Sequence, residues 1–403
     1  MKRFIALLTV AATALFLICA ASTPSALAQN ATRVVVPESA IEHPGDAGVR
    51  AHTNIIYMLF DKSVAESPNP PIGENPASLA CIYHLVKRTP GCPKTSTVLP
   101  TGGAKAIALV DAFDNPYAET DLQTFASAYG YGTPNFTKVK VGNPIQGQGW
   151  DVEESLDIEY AFGMAPNAHI YLVEANSNSD ADLDAAEDKA TELLQAAGGG
   201  EASNSWGEGE FSGEKAEDSH FQGKDVVYFA SSGDSGGQVI YPSASPFVVS
   251  AGGTTIIRNA SGDFTMESAW SDAGGGPSAV EPRPSYQNVI KKIVGTHRGT
   301  PDFSSEASNV SYVVIYNQYT CHGWCGVGGT SVSSPTLAGI VNAAGKFNTS
   351  TAAEDSEAYK DYASATKYKA DWNDITTGSN RYACKKGWEF CTGIGSPKTY
   401  KGK

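Results

Sequence analysis

The sequence predicts an α/β protein with a mainly parallel central sheet and helices on both faces. Three observations lead there. Lys105 to Phe113 (KAIALVDAF) is a near-continuous apolar run of strand length, the pattern of a strand covered on both sides. Between residues 105 and 231 such runs alternate with segments of helical spacing, as parallel strands joined by crossover helices require. No repeat or long linker interrupts the alternation, so one large domain is expected, from residue 45 to 399.

Taken in order, Lys2 and Arg3 precede an apolar run, Phe4 to Ala20, which gives way to small residues through Ser25-Ala26-Leu27-Ala28. Met1 to Ala28 reads as a cleaved secretion signal. A membrane anchor is the alternative, but the run is barely bilayer length and lacks a stop-transfer cluster. No later segment is apolar enough to span a membrane. The protein is therefore expected outside the cell, or in the periplasm if bacterial.

Residues 29–44 read as a short irregular lead-in. The Pro-, Gly- and polar-rich character continues to about residue 104, tied down by Cys81 and Cys92. After the strand at 105–113, helical spacing covers Ala118 to Tyr129, with Leu122, Phe125 and Ala126 on its apolar face. Further helices are expected at Asp151 to Phe162 and Asp180 to Ala197. Strands are expected at Val139 to Val141, His169 to Ala175, Ala202 to Trp206 and Asp225 to Ser231. Past Pro242 glycine and turn residues increase around strand-like Phe247 to Ser250 and Ser311 to Tyr316. A helix-compatible stretch, Thr330 to Phe347, follows.

The 403 residues carry a net charge of −14, which becomes −16 when Lys2 and Arg3 leave with the signal. That sign disfavours a nucleic-acid partner. An acidic surface approaches neutrality as its carboxylates protonate, which suits work in acid, although solubility alone would also account for it. Cys19 leaves with the signal. The other six cysteines fall into local pairs, Cys81 with Cys92, Cys321 with Cys325 and Cys384 with Cys391. An even count in an exported chain points to disulfides, and proximity suggests this pairing among fifteen possible connectivities. No His stands at ligand spacing beside a CxxC pair, so a metal cluster is disfavoured.

Two serines compete as nucleophile. Gly233-Asp234-Ser235-Gly236-Gly237 matches the loop of chymotrypsin-like proteases, but those are all-β and need an upstream His loop that this chain lacks. The second candidate is Ser331, in Gly329-Thr330-Ser331 followed by Pro335 and an apolar helical run. Small residues let a substrate backbone approach closely, and a helix start favours developing negative charge. The alternative role for Ser331 is a plain N-cap. The GTSxxxP pattern resembles the nucleophile motif of the subtilisin-like superfamily, yet none of the seven histidines stands in an HGTH-like setting. Another group must take the proton.

Glu153 and Asp157 are spaced i, i+4, so on a helix both carboxylates share one face. Two such groups resist joint ionisation and titrate as a unit. A solvated acidic face is the alternative. With Ser331 in the same chain, the pattern resembles the sedolisin (serine-carboxyl peptidase) family. ExxxDI followed by APxA matches Glu153, Asp157, Ile158 and Ala165-Pro166-Asn167-Ala168. SxSWG matches Ser203 to Gly207, SGDSG matches Ser232 to Gly236, and RGxPD matches Arg298 to Asp302. With further matches at Tyr241 to Pro246 and Gly274 to Gln287, the resemblance spans about residues 105 to 397 in family order.

The resemblance implies a subtilisin-like fold and a secreted, acid-acting serine endopeptidase with polypeptide substrates. In it Ser331 is the nucleophile, Glu153 the general base, Asp157 its tuning partner and Asp234 part of the oxyanion hole. An Asp donates to an oxyanion only when protonated, which itself points to acid. Asp111, where the family usually has a Glu, and Trp206 would support the carboxylate pair; a local structural bond is the alternative for Asp111. Within residues 371–397 the resemblance implies one calcium ion, held by Asp374, Glu389 and the carbonyls of Ile375, Lys385 and Gly387. Glu389 and Lys385 stand where the family has Asp and Gly. No obligate partner is indicated, so a monomer is expected. Family members also usually carry a large folded prosegment, and only a few dozen irregular residues follow Ala28 here. That departure motivates a second reading, a catalytically silent secreted binding protein on the same fold; a neutral subtilisin comes third.

Overall fold

The apolar run at 105–113 forms β1 (Ala106–Ala112), with all seven residues buried. The computed structural model describes residues 31–402; the signal read at Met1 to Ala28 lies outside the described residues. Along β1, Ile107 and Leu109 face one hydrophobic layer, while Ala106, Ala108, Val110 and Ala112 face another. That two-residue alternation between two apolar layers is what a strand inside a helix-covered sheet requires.

The remaining strands of this sheet are β2 (Phe136–Lys140), β3 (His169–Ala175), β4 (Gly200–Asn204), β5 (Val226–Ser231), β6 (Val249–Arg258), β7 (Phe264–Ala269) and β8 (Phe303–Glu306). Their order is β7-β6-β5-β4-β1-β3-β2, with β8 also paired to β6. Every pairing is parallel except that of β6 with β7.

Four helices cover it. In α1 (Ala118–Tyr129) Leu122, Phe125 and Ala126 are buried as their spacing requires, and Gly130 closes the helix in a left-handed conformation, φ 85°. On the same side lie α2 (Asp151–Met164) and α4 (Thr330–Ala343), packed on each other. A Cβ on Gly339 would come within 2.6 Å of Met164 Cβ and 2.9 Å of the Ala161 carbonyl, so glycine there permits the close crossing. On the opposite face α3 (Asp180–Ala196) starts with Ser179 accepting from the Asp182 N–H and buries Leu183, Ala186, Ala190 and Leu194. Each of the two buried leucines contributes about 1.5–3 kcal/mol relative to exposure, and each alanine methyl group about 0.8 kcal/mol.

The stretch before residue 105 is more ordered than its composition suggests. Ala31–Val35, Ile56–Phe60, Gly323–Gly328 and Val313–Asn317 form a four-stranded antiparallel sheet. The expected strand at Ala202 to Trp206 is interrupted at Ser205; Trp206–Gly209 belongs to a separate small sheet with His52–Thr53 and Ile240–Tyr241. The three disulfides join Cys81 to Cys92, Cys321 to Cys325 and Cys384 to Cys391, the pairing that proximity suggested. Among the described residues no helix is long and apolar enough to cross a membrane.

Candidate active site

Ser331 occupies the second position of α4, directly after the strand Gly323–Gly328. Gly329, at φ 122°, makes the turn; a Cβ there would lie 2.0 Å from the Asn54 carbonyl oxygen and 2.8 Å from Asp234 Oδ2. The Ser331 side chain does not cap the helix, whose N-cap is Gly329. Its hydroxyl donates to the Ser205 carbonyl at 3.2 Å, and its N–H donates to the Asn54 carbonyl at 3.2 Å. Pro335, four residues on, has no N–H for the Ser331 carbonyl, which is therefore left free of its helical bond.

All fourteen residues of α2 are buried, including Asp151, Glu153, Glu154, Asp157 and Glu159. The helix is wedged between α1, α4 and the sheet, so a solvated acidic face is excluded. Burial, then the charges of Asp157 and Asp111, hold the Glu153 carboxyl well above its usual range. Ser331 is near enough for its hydroxyl to favour the ionised form. At hydrogen-bonding distance, however, Glu153 has no partner among the described residues, because that hydroxyl is turned toward Ser205. Burial, then the Asp111 charge, raises Asp157, and a bond from the Ser205 hydroxyl at 2.7 Å opposes the shift. The same hydroxyl lies 3.4 Å from the Ser331 carbonyl. Its single proton can serve only one of the two at a time.

Asp234 follows β5 and faces the start of α4. Its Oδ1 accepts from the Thr330 N–H and hydroxyl, both at 2.8 Å, and the Thr330 hydroxyl accepts from the Gly233 N–H at 3.0 Å. The residue is partly exposed, but Oδ2 is shielded from solvent and without a partner among the described residues. Removal from water raises its carboxyl to about 7, against the pull of the two Thr330 bonds.

Asp111 is fully buried near the end of β1, with both oxygens unpartnered among the described residues. Burial and the Glu174 charge raise it to about 8. The Trp206 indole N–H donates to the Val110 carbonyl at 2.9 Å, so its contact is with the backbone next to Asp111. Three participants escaped the sequence reading. Ser205 lay unremarked inside SxSWG. Glu154 and Glu174 both accept from the Asn115 N–H at 3.1 Å, forming a second buried acid pair behind the first. The one signal for Glu174 is its position beside Asp111 on the neighbouring strand.

Near the C-terminus Asp374 Oδ1 accepts from the Tyr368 hydroxyl at 2.9 Å and the Gly387 N–H at 3.0 Å. Among the described residues no bond ends on the carbonyls of Ile375, Lys385 or Gly387, so together with Asp374 they offer the all-oxygen donor set a hard cation takes. Glu389 fits less well. Its two oxygens are held by the Cys391 N–H and the Thr392 hydroxyl, at 2.7 and 2.6 Å, and burial raises it to about 7. Cys384 and Cys391 beside it are joined as a disulfide and offer no thiolate.

No family model matches the chain. Curated relatives do. The chain is 25% identical to sedolisin of Pseudomonas sp. (strain 101) over 374 residues, 80% of the chain and 60% of that protein. It is 28% identical to kumamolisin of Bacillus sp. (strain MN-32) over 340 residues, 73% of the chain and 59% of that protein. It thus spans about 60% of the length of the curated relatives it matches. Among solved structures, Pseudomonas sedolisin, a serine-carboxyl proteinase complexed with pseudo-iodotyrostatin, superposes with a TM-score of 0.66. That match has 24% identity and covers 81% of this chain and 95% of that one. An S41 psychrophilic protease superposes with a TM-score of 0.51 at 18% identity, over 74% and 92%. The expected subtilisin-like fold is thereby established.

Proposed function

We propose that this chain, a relative of the sedolisins, is an acid-acting serine endopeptidase that hydrolyses peptide bonds through an ester on Ser331. The observation that carries the reading is convergence: Ser331, Glu153, Asp157 and Asp234, from two helices and a loop, meet at one largely water-free place. In the proposed reaction the Ser331 hydroxyl rotates from the Ser205 carbonyl to Glu153, which takes its proton as Oγ attacks the peptide carbonyl. Glu153 then gives the proton to the departing amine, and water repeats the sequence in reverse to release the acid.

Asp157 tunes the base. Two buried carboxyls cannot both ionise readily, so the pair carries a shared proton in acid and titrates as a unit. Asp234 supplies the oxyanion donor. Its Oδ1 is already occupied by two donors, which leaves Oδ2 to carry the proton toward the developing charge. With its carboxyl raised to about 7, the acid form persists well above the pH at which a free Asp ionises. Ser205 would hold Asp157, and Asp111, its carboxyl raised to about 8, would stay neutral in acid and so add no charge against the ionised form of the pair.

The proposed setting is extracellular or periplasmic, with polypeptide substrates, no nucleic-acid or membrane partner after signal removal, and a monomeric chain. One calcium ion on Asp374 and the carbonyls of Ile375, Lys385 and Gly387 would cross-link the C-terminal loop. The silent-binder reading finds no support, since all four groups are present and brought together. The test is the pH profile of hydrolysis of a denatured protein for wild type, Glu153→Ala, Asp234→Ala and Ser331→Ala. Acid-confined activity lost in all three variants supports the reading; equal activity in wild type and Ser331→Ala removes it.

A further inference from the structure

With no hydrogen-bond partner of its own among the described residues, the Glu153 carboxyl is aimed by the helix that carries it. The start of that helix, α2, has no side-chain cap. Two buried amides hold it instead. The Asn115 Nδ2 donates to the Asp151 carbonyl at 3.2 Å and to the Ser155 hydroxyl at 3.1 Å. The Asn317 Nδ2 donates to the same two oxygens, at 3.0 Å each, with Asp151 Oδ2 a third acceptor at 3.3 Å. An amide NH2 carries two protons, so each asparagine can serve the carbonyl and the hydroxyl together. Asn115, Ser155 and Asn317 are each 0% exposed.

Both amides are locked in orientation by backbone donors. Asn115 Oδ1 accepts from the Tyr117 N–H at 2.9 Å, and Asn317 Oδ1 accepts from the N–H groups of Thr320 and Cys321 at 2.8 and 3.0 Å. Each oxygen is thus turned to its own loop, which leaves the NH2 for α2. Asn115 lies in the loop after β1, where its carbonyl accepts from Lys138 Nζ of β2 at 2.8 Å. Asn317 ends the strand Val313–Asn317 and is paired with Gly323, in a turn bridged by the Cys321–Cys325 disulfide. The strand Gly323–Gly328 then runs into the turn that presents Ser331. Asn317 therefore ties the hairpin leading to the nucleophile to the helix carrying the base. Ser155 stands two residues after Glu153, about 200° on around the helix, so its hydroxyl projects from the far face. Holding that face fixes the rotation and depth of the first turn without touching the Glu153 carboxyl.

We propose that Asn115, Asn317 and Ser155 are positioning residues for peptide cleavage: the two amides, closing on the Ser155 hydroxyl and the Asp151 carbonyl, set Glu153 at the distance and angle from Ser331 that proton transfer needs. The inference rests on the peptidase reading. None of the three residues meets the reacting atoms; they act through the placement of α2.

The test measures kcat and KM of the full chain on one fluorogenic peptide that the wild type cuts, for wild type, Ser155→Ala, Asn317→Ala and the two changes together. Each kcat is expressed per folded molecule, the folded fraction being read by near-ultraviolet circular dichroism under the assay conditions. Asn317→Ala also frees two backbone donors in its own turn, whereas Ser155→Ala removes one hydroxyl and keeps both asparagines, so it decides the matter if the other variant does not fold. A misplacement of about 1 Å can cost about a hundredfold in rate, and a fall in kcat of about tenfold is expected in each single variant. KM should stay within about twofold, because substrate contacts are untouched. The double variant should lie within about threefold of Asn317→Ala, well short of the product of the two effects, as groups acting as a unit do. Wild-type kcat per folded molecule in Ser155→Ala, with only its Tm lowered, makes the clamp purely structural; it overturns the inference and leaves the peptidase reading standing. A raised KM at unchanged kcat, or single effects that multiply in the double variant, also overturns it. A wild type that hydrolyses neither peptides nor denatured protein at any pH removes the peptidase reading, and this inference with it.

Discussion

The Ser205 hydroxyl lies 2.7 Å from Asp157 Oδ1 and ties the loop after β4 to the acid helix. Because it donates to the ionised carboxylate, it lowers an acid that burial otherwise raises. Ser205→Ala is therefore expected to raise the titration of the Glu153/Asp157 pair. The acid limb of the kcat/KM profile should move to higher pH, and the maximum should fall roughly tenfold for a lost bond of about 1.4 kcal/mol. A fall in rate with an unmoved acid limb would contradict this.

Asp234 should set the other limb. Activity that needs its protonated form is present below about pH 7 and lost as pH rises through that value. Asp234→Asn keeps a donor at every pH and should flatten the alkaline limb. Asp234→Ala should lower kcat by about 10²–10³, the usual effect of removing one oxyanion donor. Profiles of the two variants, measured side by side, separate donor from charge.

Thermal stability should follow the buried acids. Asp111, Glu187 and Glu306 are each raised to about 8, chiefly by burial, and Asp121 to about 7. A carboxyl whose folded pKa is raised binds its proton more tightly in the folded state. Its contribution is fully present below the unfolded value near 4 and is lost as pH rises through the folded value. Calorimetry is expected to give a higher Tm near pH 4.5 than near pH 8.5. A Tm that rises across that interval would mean these groups are ionised in the native state without penalty.

Calcium should act through Asp374 more than through Glu389. Added calcium is expected to raise the Tm of the wild type and of Glu389→Gln, and to leave Asp374→Ala unchanged. Differential scanning fluorimetry with and without a chelator reads the difference. A response lost in Glu389→Gln but kept in Asp374→Ala would reverse the assignment.

The crossing of α2 and α4 invites a steric test. Gly339→Ala places its Cβ 2.6 Å from Met164 Cβ, and overpacking of that kind costs about 1–3 kcal/mol. Because the crossing sets Glu153 against Ser331, kcat should fall along with stability, checked by urea unfolding and by activity at one pH.

What could be read from the chain depended on periodicity. The bounds of Ala118–Tyr129 and His169–Ala175 matched their spacing to the residue, and β1 was evident from its apolar run. Gly323–Gly328 was invisible as a strand because GWCGVG has neither alternation nor β-branched bulk beyond one valine; its partners on both sides make it one. The i, i+4 spacing placed Glu153 and Asp157 together, but no local pattern tells a buried acidic helix from a solvated one. That depends on α1 and α4 closing over it. Ser205, Glu154 and Glu174 meet the site through tertiary contacts alone, and the inward turn of Glu389 depends on donors in its own loop.

The strand Ile56–Phe60 is hydrogen-bonded to Gly323–Gly328, so the sheet beside Ser331 joins segments separated by most of the chain. A ribosome that has released the first pairing strand must make more than 260 further residues before its neighbour exists. Until then Ile56–Phe60 can pair only on its other edge, and α2 lacks the helix that closes over its five acids. The same long-range closure makes folding slow relative to local structure formation. The geometry proposed for peptide cleavage therefore assembles late, only after Gly323–Gly328 has been made and has found its partner strand.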